Sequence, residues 1–188
     1  MTSWTALDDL DAKYRDETEA VTALLAARAL TPDQRAAKEG QVCSFDMLGE
    51  GARTAVDAAR YERAYADALE AVGKHGKGAG PEAGHGVSVK LSALSPRYEA
   101  THEDRVWSEL YPRLKRLALI AARHDLNFTI DAEEADRLVI SLKLLERLAG
   151  ERELGDWRGL GLAVQAYQKR GSWPSPASPR SPAPAAGG

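Results

Sequence analysis

The sequence predicts an α/β fold: a partial (β/α)8 barrel of the TIM type, with about the first four β/α units, preceded by N-terminal helices. Three observations lead there. Four short strand-like stretches, at residues 42–47, 87–91, 127–131 and 160–165, are separated by helical segments, the alternation that builds a parallel sheet. Each stretch carries one polar residue near its C-terminal end: Asp46, Lys90, Asp131 and Gln165. Those ends present functional-looking polar groups rather than a glycine-rich phosphate turn. An open parallel sheet fits the same alternation, but polar strand ends favour the barrel, whose sites gather at the C-terminal face of its strands.

Taken in order, residues 3–30 read as a helix, with Leu7, Leu10, Tyr14, Val21, Leu24 and Leu25 along one stripe. Thr31-Pro32-Asp33-Gln34 starts a second, short helix that should stop at Gly40. After the first strand and the Gly49-Glu50-Gly51 turn, a helix is expected over 53–72. Its apolar face is Tyr61, Ala64, Tyr65, Ala68, Leu69 and Val72. Residues 74–86 are glycine-rich and read as a linker. Beyond the second strand comes a loop punctuated by Ser95-Pro96. A helix over 101–124 is then expected, capped by Thr101 with Asp104 three residues on, and with Val106, Leu110, Leu114, Leu117 and Ala121 inward. The last helix, over 133–149, should turn Ala135, Leu138, Leu142, Leu145 and Leu148 inward and carry Glu133, Glu134 and Asp136 at its positive end. After Arg170 the text becomes Pro, Ser and Ala, with five of the chain's nine prolines in 171–188, and it is expected to be disordered. Three parts follow: an N-terminal helical segment (1–41), the partial barrel (42–170) and the tail (171–188).

Composition narrows the function. The chain has 188 residues, enough for one domain with an ordinary core, and a net charge of -3, which gives no sign of nucleic-acid binding. No apolar run is long enough to span a bilayer, and the acidic N-terminus does not read as a signal peptide. The single cysteine, Cys43, excludes an internal disulfide, fits a cytoplasmic location and is expected to be a small buried hydrophobe. His75, His85, His102 and His124 form no metal pattern. Tyr98 and Tyr167 read as packing residues.

Lys90 is the first functional candidate, because a lysine inside a buried strand needs a partner or a water-filled mouth. From the residues alone it is either a ligand-facing group or half of an internal ion pair with Asp46 or Asp131. Asp131 reads by default as a helix cap, Gln165 as a satisfied buried amide, and Asp46 as a strand-end residue with no assigned role.

Four motifs add a resemblance. Ser44-Phe-Asp-Met-Leu-Gly-Glu50, Val87-Ser-Val-Lys-Leu-Ser-Ala-Leu-Ser-Pro-Arg-Tyr98, Ile130-Asp-Ala-Glu-Glu-Ala-Asp-Arg-Leu138 and Gly159-Leu-Gly-Leu-Ala-Val-Gln-Ala-Tyr-Gln-Lys-Arg170 stand in this order. Together they resemble the first four strand motifs of the proline dehydrogenase domain in bifunctional proline utilisation A flavoenzymes. The resemblance implies a distorted (β/α)8 barrel with non-covalent FAD at its strand ends. It implies oxidation of L-proline to 1-pyrroline-5-carboxylate, by hydride transfer to the flavin, with a membrane quinone as electron acceptor. It also implies roles: Lys90 pairs with the substrate carboxylate, Asp131 lines the substrate pocket, Gln165 contacts the flavin, and Asp46 lies in the active site near it. Such enzymes are cytoplasmic and associate peripherally with the inner membrane.

The resemblance stops at Arg170. The later strand motif whose arginine contacts FAD, and the helix whose paired arginines clamp the carboxylate, have no counterpart. The expectation is therefore a truncated and inactive form. A non-catalytic half-barrel acting only in assembly is the alternative. The open edge of the fourth strand should favour self-association.

Overall fold

The computed structural model describes residues 42–47, 51–76 and 78–165. The helices expected over 3–40 and the tail 171–188 lie outside the described residues. Within them, four strands form one sheet: β1 (Ser44–Asp46), β2 (Gly86–Val89), β3 (Asn127–Ile130) and β4 (Leu160–Leu162). The order is β1-β2-β3-β4 and all three pairings are parallel. This is the expected α/β arrangement, part of a (β/α) barrel. Each strand ends one to three residues before its predicted end. That leaves Lys90, Asp131 and Gln165 in the connections just past the sheet, where side chains have more freedom to turn toward a site.

The register aligns Phe45, Val87, Phe128 and Leu160 across the sheet, and Val89, Ile130 and Leu162 two rungs on. Val87, Val89, Phe128 and Ile130 are fully buried in the layer between sheet and helices. Side chains alternate along a strand, so Ser88 and Thr129 face the other side, the side a barrel turns inward.

Helices cover the sheet. The first, α1 (Ala55–His75), begins with a capping box in which Thr54 Oγ1 accepts from Asp57 N and the Asp57 carboxylate accepts from Thr54 N. It buries Ala58, Tyr61, Ala64, Tyr65, Leu69 and Val72. A one-turn helix, α2 (Leu91–Leu94), follows β2 directly where a loop was expected. Helix α3 (Tyr111–Arg123) packs along α1, and Glu62–Arg116, Glu70–Arg123 and Glu70–His124 pairs tie the two together. Helix α4 is Leu138–Ala149.

Two helices differ from expectation for identifiable reasons. The single helix expected over 101–124 is broken into a 3-10 turn (Ala100–His102), a short α turn (Glu103–Arg105) and a π turn (Val106–Leu110) before α3. Pro112, in the first turn of α3, has no N–H to continue the regular ladder, so the preceding turn widens. Thr101 does not cap this segment; its hydroxyl meets Glu99 and His102. Helix α4 is preceded by a 3-10 turn (Ala135–Arg137) and buries Ile140, Ser141, Leu144 and Leu148, whereas Leu142, expected inside, is 46% exposed. Its sequence carries two apolar stripes, and packing on the sheet selects the one centred on Leu144. Cys43, expected buried, is half-buried.

The approach of β4 to β3 is close. Trp157 Nε1 donates to Leu126 O at 2.9 Å and Phe128 N donates to Gly159 O at 2.7 Å. A Cβ on Gly159 would collide with Leu126 O and the Trp157 ring. Gly159→Ala should therefore cost about 1–3 kcal/mol, read as a lower urea midpoint with an unchanged slope. An unchanged midpoint would mean that β4 is not held this closely.

Candidate functional site

The sheet register itself assembles the site. Val89 pairs with Ile130, and Asp131 N donates to Val89 O at 2.9 Å, so Lys90 and Asp131 fall on the next rung together. Asp46 pairs with Ser88, two residues before Lys90 on the same face. Three ionisable groups from three neighbouring strands thus share the face away from the helices, at the C-terminal end.

They make direct contact. Lys90 Nζ lies 2.6 Å from Asp46 Oδ2 and 2.8 Å from Asp131 Oδ2. Lys90 is buried, Asp131 half-buried, and the Asp46 side chain is 41% exposed, so the pair opens toward solvent through Asp46. Burial by itself pulls the ammonium down. The hydrogen bonds to Asp131 and Asp46 outweigh it and hold Lys90 above the ordinary lysine value. The second oxygen of Asp131 accepts from Ala132 N at 2.9 Å and caps no helix.

Residues that local pattern placed elsewhere support this centre. Tyr65, assigned to the apolar face of α1, accepts a hydrogen bond from Lys90 N through its hydroxyl at 3.1 Å, and burial lifts its phenol well above the ordinary range. Glu133, expected in the first turn of a helix, instead turns inward to Ser92 N. Tyr98 shares a 2.6 Å hydrogen bond with Ser141 and lies under the Arg137 guanidinium; burial pushes its phenol up to about 12. No period-2 or period-3.6 pattern signals these pairings, since their partners are 25 to 43 residues away.

Gln165 stands three residues past β4, half-buried. It lines a small cleft with Asp131, Glu133, Leu138 and Ser141, so it shares Asp131 with the lysine centre from the other side. Among the described residues no group of three or more His, Cys, Asp and Glu side chains is arranged to hold a metal ion.

A parallel β/α sheet that gathers a lysine and two aspartates at its C-terminal strand ends defines one class: a (β/α)-barrel protein with a polar site at the mouth of the barrel. Within that class, the family model for proline dehydrogenase matches residues 29–172, and the chain belongs to that family. It is 52% identical over 150 residues to the bifunctional protein PutA of Salmonella typhimurium, covering 80% of this chain and 11% of that protein. Identity to the Escherichia coli protein of the same name is 51% over 150 residues, with the same coverage. A crystal structure of a Bradyrhizobium japonicum proline utilization A variant superposes with a TM-score of 0.66 at 56% identity, covering 68% of this chain and 13% of that one. Proline utilization A from Bdellovibrio bacteriovorus superposes at a TM-score of 0.70 with 22% identity, over 78% of this chain and 16% of that one, a likeness of fold. The chain therefore spans 11% of the length of the curated relatives it matches.

Removing the cation exposes what it does. Lys90→Met keeps much of the apolar stem but leaves Asp46 facing Asp131. At pH 7 it should cost about 1–3 kcal/mol, less than a fully buried pair because Asp46 reaches solvent. The double variant Lys90→Met/Asp131→Asn should recover part of that loss. The folded Lys90 value is raised, so the contribution is complete below the ordinary lysine value of 10.5 and is lost as pH rises through the higher folded value. The gap between the urea midpoints of wild type and Lys90→Met should therefore be nearly the same at pH 7 and pH 10; equal midpoints at pH 7, or a gap already closed at pH 10, would contradict this.

Proposed function

We propose that this chain carries the substrate-binding part of an FAD-dependent proline dehydrogenase, a flavoprotein oxidoreductase that takes L-proline to 1-pyrroline-5-carboxylate in proline catabolism toward glutamate. Family membership supports the reaction class. The observation that carries the reading is the charge pattern of the site, one ammonium held at 2.6 and 2.8 Å between two carboxylates, which is the complement of a zwitterionic amino acid. An entering substrate carboxylate competes with Asp46 and Asp131 for the N–H groups of Lys90. A carboxylate displaced from Lys90 is then placed to meet the substrate's own ammonium. Lys90 and Asp131 are accordingly the substrate-binding residues of this reading, and Asp46 and Gln165 those beside the cofactor.

FAD, when bound, would supply the hydride acceptor. The described residues fit one edge of it. Gln165 brings an amide donor and acceptor suited to a flavin's polar rim. In this reading Lys90 is given to the substrate carboxylate, and Arg137 lies 3.1 Å from Glu134 and 3.7 Å from Glu133, so neither is assigned to a pyrophosphate. These residues by themselves do not build a complete FAD site, and their part is to bind and orient the substrate. The reading extends to a cytoplasmic protein whose electrons pass to a membrane quinone.

The second reading is a non-catalytic half-barrel that works only in assembly. It is favoured by β4, which pairs with β3 alone among the described residues and leaves Val164 half exposed beyond it. Such an edge seeks another strand, a second copy of this chain included.

Dye-coupled proline oxidation with added FAD separates the two. The purified 188-residue chain should be colourless and show no turnover, whereas the same sequence carried on to a full eight-stranded barrel should be yellow and active. In that full barrel Lys90→Ala should raise KM for proline about a hundredfold or more. Turnover by the short chain equal to the full barrel would overturn its inactivity, and an unchanged KM would overturn the role of Lys90.

A further inference from the structure

Lys90 holds a position its side chain cannot serve. It is the N-cap of α2, with φ -90° and ψ 123°, and makes no side-chain capping bond. That position favours Ser, Thr, Asp or Asn, whose oxygen accepts a backbone N–H of the first turn. A lysine ammonium has three donors and no acceptor.

The acceptor comes from 41 residues further along the chain. Glu133 Oε2 and Oε1 accept from Ser92 N at 3.1 and 3.3 Å. The Glu133 side chain is 8% exposed, although solvated acids are the norm at a helix entrance. Burial pushes its carboxyl up, and the bonds from Ser92 act against that rise. Two more bonds hold the same turn: Lys90 N to Tyr65 Oη at 3.1 Å and Ala52 N to Ser92 O at 2.9 Å. Glu133 is two residues past Asp131. One short loop therefore delivers both the carboxylate that meets the Lys90 ammonium and the carboxylate that anchors its backbone.

We propose that Glu133 is a positioning residue for Lys90, supplying from the β3–α4 connection the cap that a lysine cannot supply, and so fixing the direction from which the ammonium enters the site. The proposal rests on Lys90 being the substrate-facing cation, but its test needs neither proline nor flavin, so the two ideas can fail separately.

The test uses the whole 188-residue chain labelled with nitrogen-15 lysine. The side-chain ammonium signal of Lys90, identified by its loss in Lys90→Arg, is followed by NMR for hydrogen exchange with water. Glu133→Ala removes the acceptor and Glu133→Asp withdraws it by one methylene. In both, exchange at Lys90 should be about tenfold faster. Glu133→Gln keeps an acceptor oxygen and should stay close to wild type. Lys115, paired with Glu151 on the far side of α3, is the internal control and should not change. A merely structural role would loosen Lys90 and Lys115 together and would not be rescued by glutamine. Unchanged Lys90 exchange in either folded variant would overturn the proposal. So would failure of both Ala and Asp variants to fold, since Glu133 would then be a general folding residue.

Discussion

The burial of one ammonium group governs the rest of this structure. Lys90 follows a strand whose apolar residues are fully buried, and a charge there is tolerated only if it is paired and hydrogen-bonded. Two aspartates from neighbouring strands meet that demand at 2.6 and 2.8 Å. Neither can do so unless the strands are parallel and in the observed register. A slip of one residue would turn Asp46 or Asp131 to the helix side of the sheet and leave the lysine without it. The ion cluster and the sheet register therefore specify one another.

The helical layer makes that register stiff. Leu69, Leu110, Leu114, Leu117 and Leu144 are fully buried against Val87, Val89, Phe128 and Ile130, a continuous apolar layer that fixes each strand from behind. Tyr65 shows how the layer reaches the site. Its ring belongs to the core while its hydroxyl accepts from Lys90 N, so one side chain couples helix packing to the backbone of the charged residue. The surface pairs between α1 and α3 contribute less, since exposed ion pairs are individually weak.

The charge balance of the cluster has a chemical consequence. A cation already balanced by two anions can exchange one partner for another without exposing bare charge. That exchange of ion pairs is what the proposed binding of a zwitterion would use.

The sequence by itself determined the alternation of strands and helices, the parallel order, and the four strand-end polar residues, because each of these is a local pattern of period, cap or breaker. Lys90 was legible for the same reason: a lysine in a short apolar run is a local anomaly. Tertiary structure decided everything that depends on a partner far along the chain. It chose between the two apolar stripes of α4, which are equally good helices until one is set on the sheet. It showed that Lys90 engages both aspartates rather than one, and that Asp131 caps no helix. It also turned Glu133 inward across 41 residues to Ser92. Local periodicity reports which face of an element is apolar, but a buried polar contact is settled by which N–H groups the finished packing leaves without a partner.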